Sequence, residues 1–208
     1  MITDRPTTLP PQWAESLLRL LLTPADRDSV SGDLLEEYRQ SIVPALGAGA
    51  NRWYLRQVGR YVLRAIAPWS ALIAATCVTR YLFDTLAPVQ YTRDIVHPRS
   101  ALMSQTLIAT FASAGAWQAW RSGHVRAGVV VAVLSALIGG WLAQIGTLAC
   151  LAVWHDAAIM RAIEGSGGTG ELWGVPLLLI LIGLVTGTAG AIAGGALRWS
   201  VTKTGLIA

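Results

Sequence analysis

The chain has 208 residues and a formal net charge of +4, with only 13% charged residues against 53% apolar ones, and its mean hydropathy is +0.50. A soluble domain carries roughly 25% charge, so this composition points away from a soluble enzyme and toward a membrane. The two cysteines, Cys77 and Cys150, sit in apolar runs with no CxxC and no Cys/His cluster, so neither a disulfide framework nor a zinc site is indicated.

Residues 1–64 hold seven of the twelve acids and no apolar run long enough to span a bilayer. The run LLRLLL is short, is broken by Arg19 and is followed by Thr23-Pro24 and acids, so no cleaved signal is expected from it. After Pro10-Pro11, residues Gln12 to Leu22 predict a short helix. Thr23 and Pro24 then read as N-cap and first helical position of a second, with Asp26 in the first turn, where the helix dipole favours it. On this second helix Val30, Leu34, Leu35, Tyr38 and Ile42 share one arc, and Asp33, Glu36 and Glu37 share the opposite one. Pro44 and the segment ALGAGA are expected to end it.

The stretch NRWYLRQVGRYVLR places Arg52, Arg56, Arg60 and Arg64 four residues apart. Each such step advances about 40° around a helix, so the arginines sweep about 120° of one face. Tyr54, Val58, Tyr61, Val62 and Ala65 take the other face, and the helix is expected to continue into the first apolar span. The stripe has two compatible readings. It meets anionic lipid headgroups, worth about 1 kcal/mol per basic residue near the surface, or it pairs with Asp33, Glu36 and Glu37 to close a small helical domain. Nucleic-acid binding is set aside, because the region is near neutral and carries no DNA-binding motif.

Beyond Arg64 the charge nearly disappears. Ala101–Trp120, Ala127–Trp154 and Leu172–Leu197 contain no charged residue, and each reaches the ~20 residues that cross a hydrocarbon core as a helix. A further span over about 65–86 requires Arg80 to snorkel, with Asp84 one turn on as its partner. Four spans put both termini on one side. That side carries Arg5, Arg19, Arg27, Arg39, Arg52, Arg56, Arg60, Arg64, Arg121, Arg126, Arg198 and Lys203, twelve of the sixteen basic residues; the other carries Arg80, Arg93, Arg99 and Arg161. The positive-inside rule therefore predicts cytoplasmic termini. Trp120 and Trp199 would mark the inner interface, Trp154 and Trp173 the outer one.

Catalytic signals are sparse. Gly165 to Gly170 matches GxGxxG, but it lies between two apolar helices and lacks the preceding strand a dinucleotide loop needs. His155-Asp156 reads as a solvated pair at a span end, and His97 and His124 as lone loop histidines. There is no HExxH, GxSxG or Walker A sequence, and spans two to four contain no ionisable residue of the kind that marks an ion pathway. No catalytic residue, metal or cofactor is expected. Small residues are more informative: Gly183, Gly187, Gly190 and Gly194 in the last span, with Thr186 and Thr188 among them, and Ser135, Gly139, Gly140 and Gly146 in the third, permit close helix approach within the bundle or against another subunit.

Two submotifs carry a family resemblance. Gly32-Asp33-Leu34 with Glu36-Glu37-Tyr38-Arg39, and Trp53-Tyr54 with Arg56-Gln57, preceded by the leucine-rich segment and its proline turn, resemble the permease prefix domain of the second type, found ahead of FtsX/MacB-like ABC permeases. The match covers Pro10 to Arg64. In those permeases the prefix precedes a much longer region with large periplasmic domains, whereas here it precedes four expected spans. The resemblance implies work beside ABC-type or similar membrane machinery, as a partner of a permease subunit, and it carries over no active-site residue. The sequence thus predicts an all-α, multi-pass protein of the bacterial inner membrane. A cytoplasmic helical domain (1–64) is followed by a four-helix transmembrane bundle (65–208), acting as a non-enzymatic accessory or regulatory subunit or as a homo-oligomer. A small transporter or permease fragment, and a membrane-anchored sensor signalling through residues 1–64, are the alternatives.

Overall fold

The computed structural model describes residues 9–86, 93–153 and 169–204, and side chains for 9–82, 101–150, 152–153 and 174–204. The elements in order are α1 (Gln12–Leu21), α2 (Pro24–Glu37), a π-helical turn (Tyr38–Ile42), α3 (Val43–Leu46), a 3-10 turn (Gly47–Gly49), α4 (Ala50–Leu86), α5 (Arg93–Ser122), α6 (Val125–Val153) and α7 (Thr169–Lys203). Among the described residues there is no strand. His155-Asp156, the GxGxxG loop up to Gly168, Trp154 and Arg161 lie outside the described residues, and the side chains of Asp84, Arg93, His97, Arg99 and Trp173 are likewise not described.

The start of α2 follows from its sequence. Thr23 is extended and its Oγ1 accepts from the Asp26 amide (3.2 Å), while its own hydroxyl donates to Asp26 Oδ2 (2.6 Å); Pro24 occupies the first turn, where no amide donor is needed. The helix ends inside the expected segment ALGAGA, though not at Pro44 itself: helix continues to Leu46, and Gly47, at φ 50°, makes the break. A proline lacks its amide proton and its ring crowds the carbonyl four residues back. The π-helical turn before it relaxes this conflict, since the Val43 amide reaches back five residues to the Tyr38 carbonyl.

α4 then runs unbroken for 37 residues, about 55 Å at 1.5 Å per residue. Its first turns belong to a small apolar core with α1 and α2, built on Ala14, Leu18, Leu22, Tyr38, Ala50, Tyr54 and Val58, with Val30, Leu34, Leu35 and Ile42 packed around it. Burying a side chain such as Leu18 stabilises by about 1.5–3 kcal/mol. The rings of Tyr38 and Tyr54 meet edge to face at 5.6 Å and 77°, a geometry worth roughly 0.5–1.5 kcal/mol beyond burial.

The rest of α4 packs chiefly on α6, and α7 packs on α5 and α6. The centre of this assembly is Ile73, Leu107, Phe111, Ala136 and Leu179. Among the described residues, three helical runs are long and apolar enough to cross a membrane: the one ending at Leu82, Val125–Cys150 and Gly174–Lys203. Described α5, with Ser104, Gln105, Thr106, Thr110 and Gln118 in its charge-free stretch, does not reach the same apolarity. Leu102, Ile145, Leu177, Leu181, Val185 and Ile192 all point away from the assembly, between 57% and 70% exposed. So large an open apolar surface is foreign to a soluble monomer and suits lipid.

Candidate functional site

The glycines of the last span are contact points within this chain. A methyl group on Gly183 would fall 2.8 Å from Ala136 Cβ, one on Gly187 would strike Ala132, and on Gly190 and Gly194 it would run into the carbonyls of Ala112 and Ala116. α7 therefore lies backbone-to-backbone on α5 through Gly190 and Gly194, and against α6 through Gly183 and Gly187. Gly115 and Gly128 extend the seam, each closed against a neighbouring carbonyl, of Gly187 and of Gly115 respectively. On α6 the small residues divide their work: Gly139 admits Ile73 and Gly146 admits Val78 of α4, while Gly140 faces Pro176 of α7. Ser70 Oγ donates to the Ser135 carbonyl at 3.3 Å across the α4–α6 contact. The hydroxyls of Thr186 and Thr188 are spent on the carbonyls four residues back, Ile182 and Leu184.

The two charged faces of the N-terminal region do not meet. Asp33, Glu36 and Glu37 are exposed, and so are Arg52, Arg56, Arg60 and Arg64. No ion pair joins the two sets; the ion pairs recorded nearby are both made by Arg19, with Glu15 at 3.8 Å and Asp28 at 3.0 Å. Glu36 accepts from Gln40 (2.8 Å), and Arg60 donates to Gln57 (3.3 Å). The reason is geometric. The apolar arcs of α2 and α4 both face the core that α1 and Tyr38 share with them, so the charged arcs opposite those faces point away from each other. Gln57, Arg60, Tyr61 and Arg64 line an open hollow of about 390 Å³ where the amphipathic part of α4 gives way to its apolar part.

The tyrosines of the two submotifs form the pivot of the domain core. Tyr38 Oη donates to Asn51 Oδ1 at 2.6 Å, whereas the buried Tyr54 hydroxyl finds no protein partner. Burial pushes the Tyr54 phenol up to about 12, with the Glu15 carboxylate adding to the rise and Arg19 opposing it. Burial raises Tyr38 as well.

A second constellation was not visible in the sequence. Three parts of the chain converge on the turn between α5 and α6. Gln118 Nε2 donates to the Leu21 carbonyl (2.8 Å), and Arg27 donates to the carbonyls of Arg19 (3.0 Å) and Ser122 (3.2 Å). From α7, Arg198 Nη1 donates to Trp120 (2.6 Å) and Arg121 (3.0 Å). The turn itself is held by Gly123 at φ 77° and by Ser122 Oγ, which accepts from the His124 amide (3.2 Å). Leu21 also packs on Ile66 and Val131. The N-terminal helices, the α5–α6 turn and the end of α7 thus share one end of the assembly. Beside the turn, Ser16, Arg19, Leu20, Arg27, Gly123, His124, Val125 and Arg126 line an open cleft of about 490 Å³. The only sequence signal for it was the pair of arginines flanking Ser122-Gly123-His124; nothing linear connects them to Arg19 and Arg27. Among the described residues no group of three His, Cys, Asp or Glu side chains is placed to hold a metal ion. Comparison with protein-family models, with curated proteins and with solved structures finds no match for this chain.

Proposed function

We propose that this chain is a non-enzymatic accessory or regulatory protein of a bacterial inner membrane, crossing it four times with both termini in the cytoplasm and docking through its N-terminal domain to a permease or similar membrane complex. The observation that carries the reading is the unspent charge of that domain. Its core is closed by apolar packing and by Tyr38 on Tyr54, while Asp33, Glu36 and Glu37 on one side and the four arginines on the other remain exposed without ion pairs to one another. The arginine face, continuous with an apolar helix, suits the headgroup layer; the acidic face is left for a protein partner with a basic surface. The resemblance of residues 10–64 to a permease prefix domain supports the same direction.

The topology rests on a convergence. The basic turn Arg121–Arg126, Arg198 and the N-terminal helices lie at one end of the helices, the distribution that the positive-inside rule reads as cytoplasmic. α5 would be the second span, its polar side chains tolerated because Thr106 and Thr110 bond back to their own helix and Gln118 to Leu21.

The test is crosslinking and co-purification from native membranes, comparing the natural chain with a variant carrying D33K, E36K and E37K. A membrane-protein partner enriched with the first and lost with the second is the expected outcome. Recovery of the natural chain alone, under crosslinking, would end the docking reading.

A further inference from the structure

We infer that the cleft between the N-terminal helices and the α5–α6 turn is a binding site for a phosphoryl group, and that its ligand ties the N-terminal domain to the transmembrane helices. The charge inventory is the starting point. Arg19, Arg27, His124 and Arg126 line the cleft, and no carboxylate does. Arg19 is held by Glu15 and Asp28, so its charge is largely answered. Arg27 is not: two of its five N–H donors go to neutral carbonyls, of Arg19 and Ser122, which orient the guanidinium and leave its charge and its other donors in place. Arg126 is exposed and has no hydrogen bond or ion pair among the described residues. Two uncompensated guanidinium groups therefore face one hollow, one fixed by the fold and one free to close.

The shape and chemistry select the ligand class. A volume of about 490 Å³ lies in the range of small-molecule sites. Guanidinium groups match a phosphate's oxygens in geometry as well as charge. The Ser16 hydroxyl and the first amides of α6, at Val125 and Arg126, add neutral donors on the same walls. Arg19 and Arg27 belong to α1 and α2, whereas His124 and Arg126 belong to the turn and to α6. A ligand touching both sets adds a bridge where Gln118–Leu21 and Arg27–Ser122 already join the two parts. The phosphoryl group could come from an anionic lipid headgroup at the membrane surface or from a soluble phosphorylated compound; the recognition chemistry is shared. This inference does not depend on the docking reading above, which rests on other residues.

The experiment uses the full chain, in neutral detergent with pyrophosphate titrated at constant ionic strength, and in nanodiscs of phosphatidylglycerol or phosphatidylcholine. Amide exchange is followed over residues 19–28 and 121–127 together with the thermal midpoint. Two variants are compared: R126Q, which removes an exposed side chain with no internal bond, and R52Q, a basic residue outside the cleft. Joint protection of both segments by pyrophosphate, about tenfold weaker in R126Q and unchanged in R52Q, supports the site with a soluble source. The same pattern only in phosphatidylglycerol supports it with a lipid source. No joint protection in either setting, or equal weakening by R126Q and R52Q, overturns it.

Discussion

The side-chain amide of Gln118 donates to the main-chain carbonyl of Leu21 across 2.8 Å, in a buried site joining residues 97 positions apart. Leu21 is the last residue of α1, where carbonyls have no partner within their own helix. A residue of the apolar region thus caps a helix of the N-terminal domain. Replacing Gln118 with Leu leaves that carbonyl buried and unpaired, a cost of about 1–3 kcal/mol. The expected result is faster amide exchange and easier proteolysis over α1, with α6 and α7 unchanged. Unaltered protection of α1 in Q118L would show that the contact contributes nothing.

The tyrosine pair separates two effects of one atom. Tyr38→Phe removes a 2.6 Å hydrogen bond to Asn51 and is expected to destabilise the domain by about 1 kcal/mol. Tyr54→Phe removes a buried hydroxyl with no protein partner and is expected to be neutral or stabilising. Chemical denaturation of the two variants, read by far-ultraviolet circular dichroism, distinguishes them by sign.

The same residue gives a pH dependence. The folded Tyr54 phenol titrates at about 12, above the usual 10.0, so the folded state holds this proton more tightly than the unfolded one. Its contribution is fully present below pH ~10 and is lost as pH rises toward ~12. The alkaline loss of stability in this window should be smaller in Y54F. An identical alkaline profile in the variant would refute the assignment.

Two glycine substitutions should behave oppositely. A Cβ at Gly190 would run into the Ala112 carbonyl, so Gly190→Ala must separate α7 from α5; overpacking of this kind costs about 1–3 kcal/mol or more. Gly59, within α4, has nothing within 4 Å of the added carbon, and Gly59→Ala should stabilise by roughly 0.5–1 kcal/mol through helix propensity. Thermal midpoints in detergent check both.

The topology has a direct readout. In a background with Cys77 and Cys150 replaced by Ala, His124→Cys and Thr202→Cys should react with an impermeant thiol reagent from the same side of the membrane, the cytoplasmic one. Both positions are exposed, and the structure places the α5–α6 turn beside the end of α7. Labelling from opposite sides would exclude an even number of crossings between the two positions.

Much of the local structure was legible in the chain. Thr23, Pro24 and Asp26 announce a helix start through side chains only three residues apart, and the arcs of α2 and α4 follow from helical periodicity. Two readings did not survive as simply. Pro44 and ALGAGA are expected to end α2; the break does fall in ALGAGA, at Gly47, but Pro44 is carried within helix because the preceding turn widens into π geometry, an adjustment no propensity encodes. The acids of α2 and the arginines of α4 are complementary on paper. Turning both apolar arcs to the core shared with α1 left the charged faces outward, because each helix can bury only one face.

The sequence by itself determined that this chain is helical, that it carries long apolar helices fit for a bilayer, and where its basic charge is concentrated. These properties reside in composition and periodicity, which act over a few turns of one helix. Tertiary structure alone decided which glycines meet which carbonyls, that Gln118 caps α1, and that Arg19 and Arg27 share a cleft with His124 and Arg126. Most of those relationships join residues from about seventy to about a hundred positions apart. They depend on how helices rotate and cross once their apolar faces are buried, and no local pattern records that.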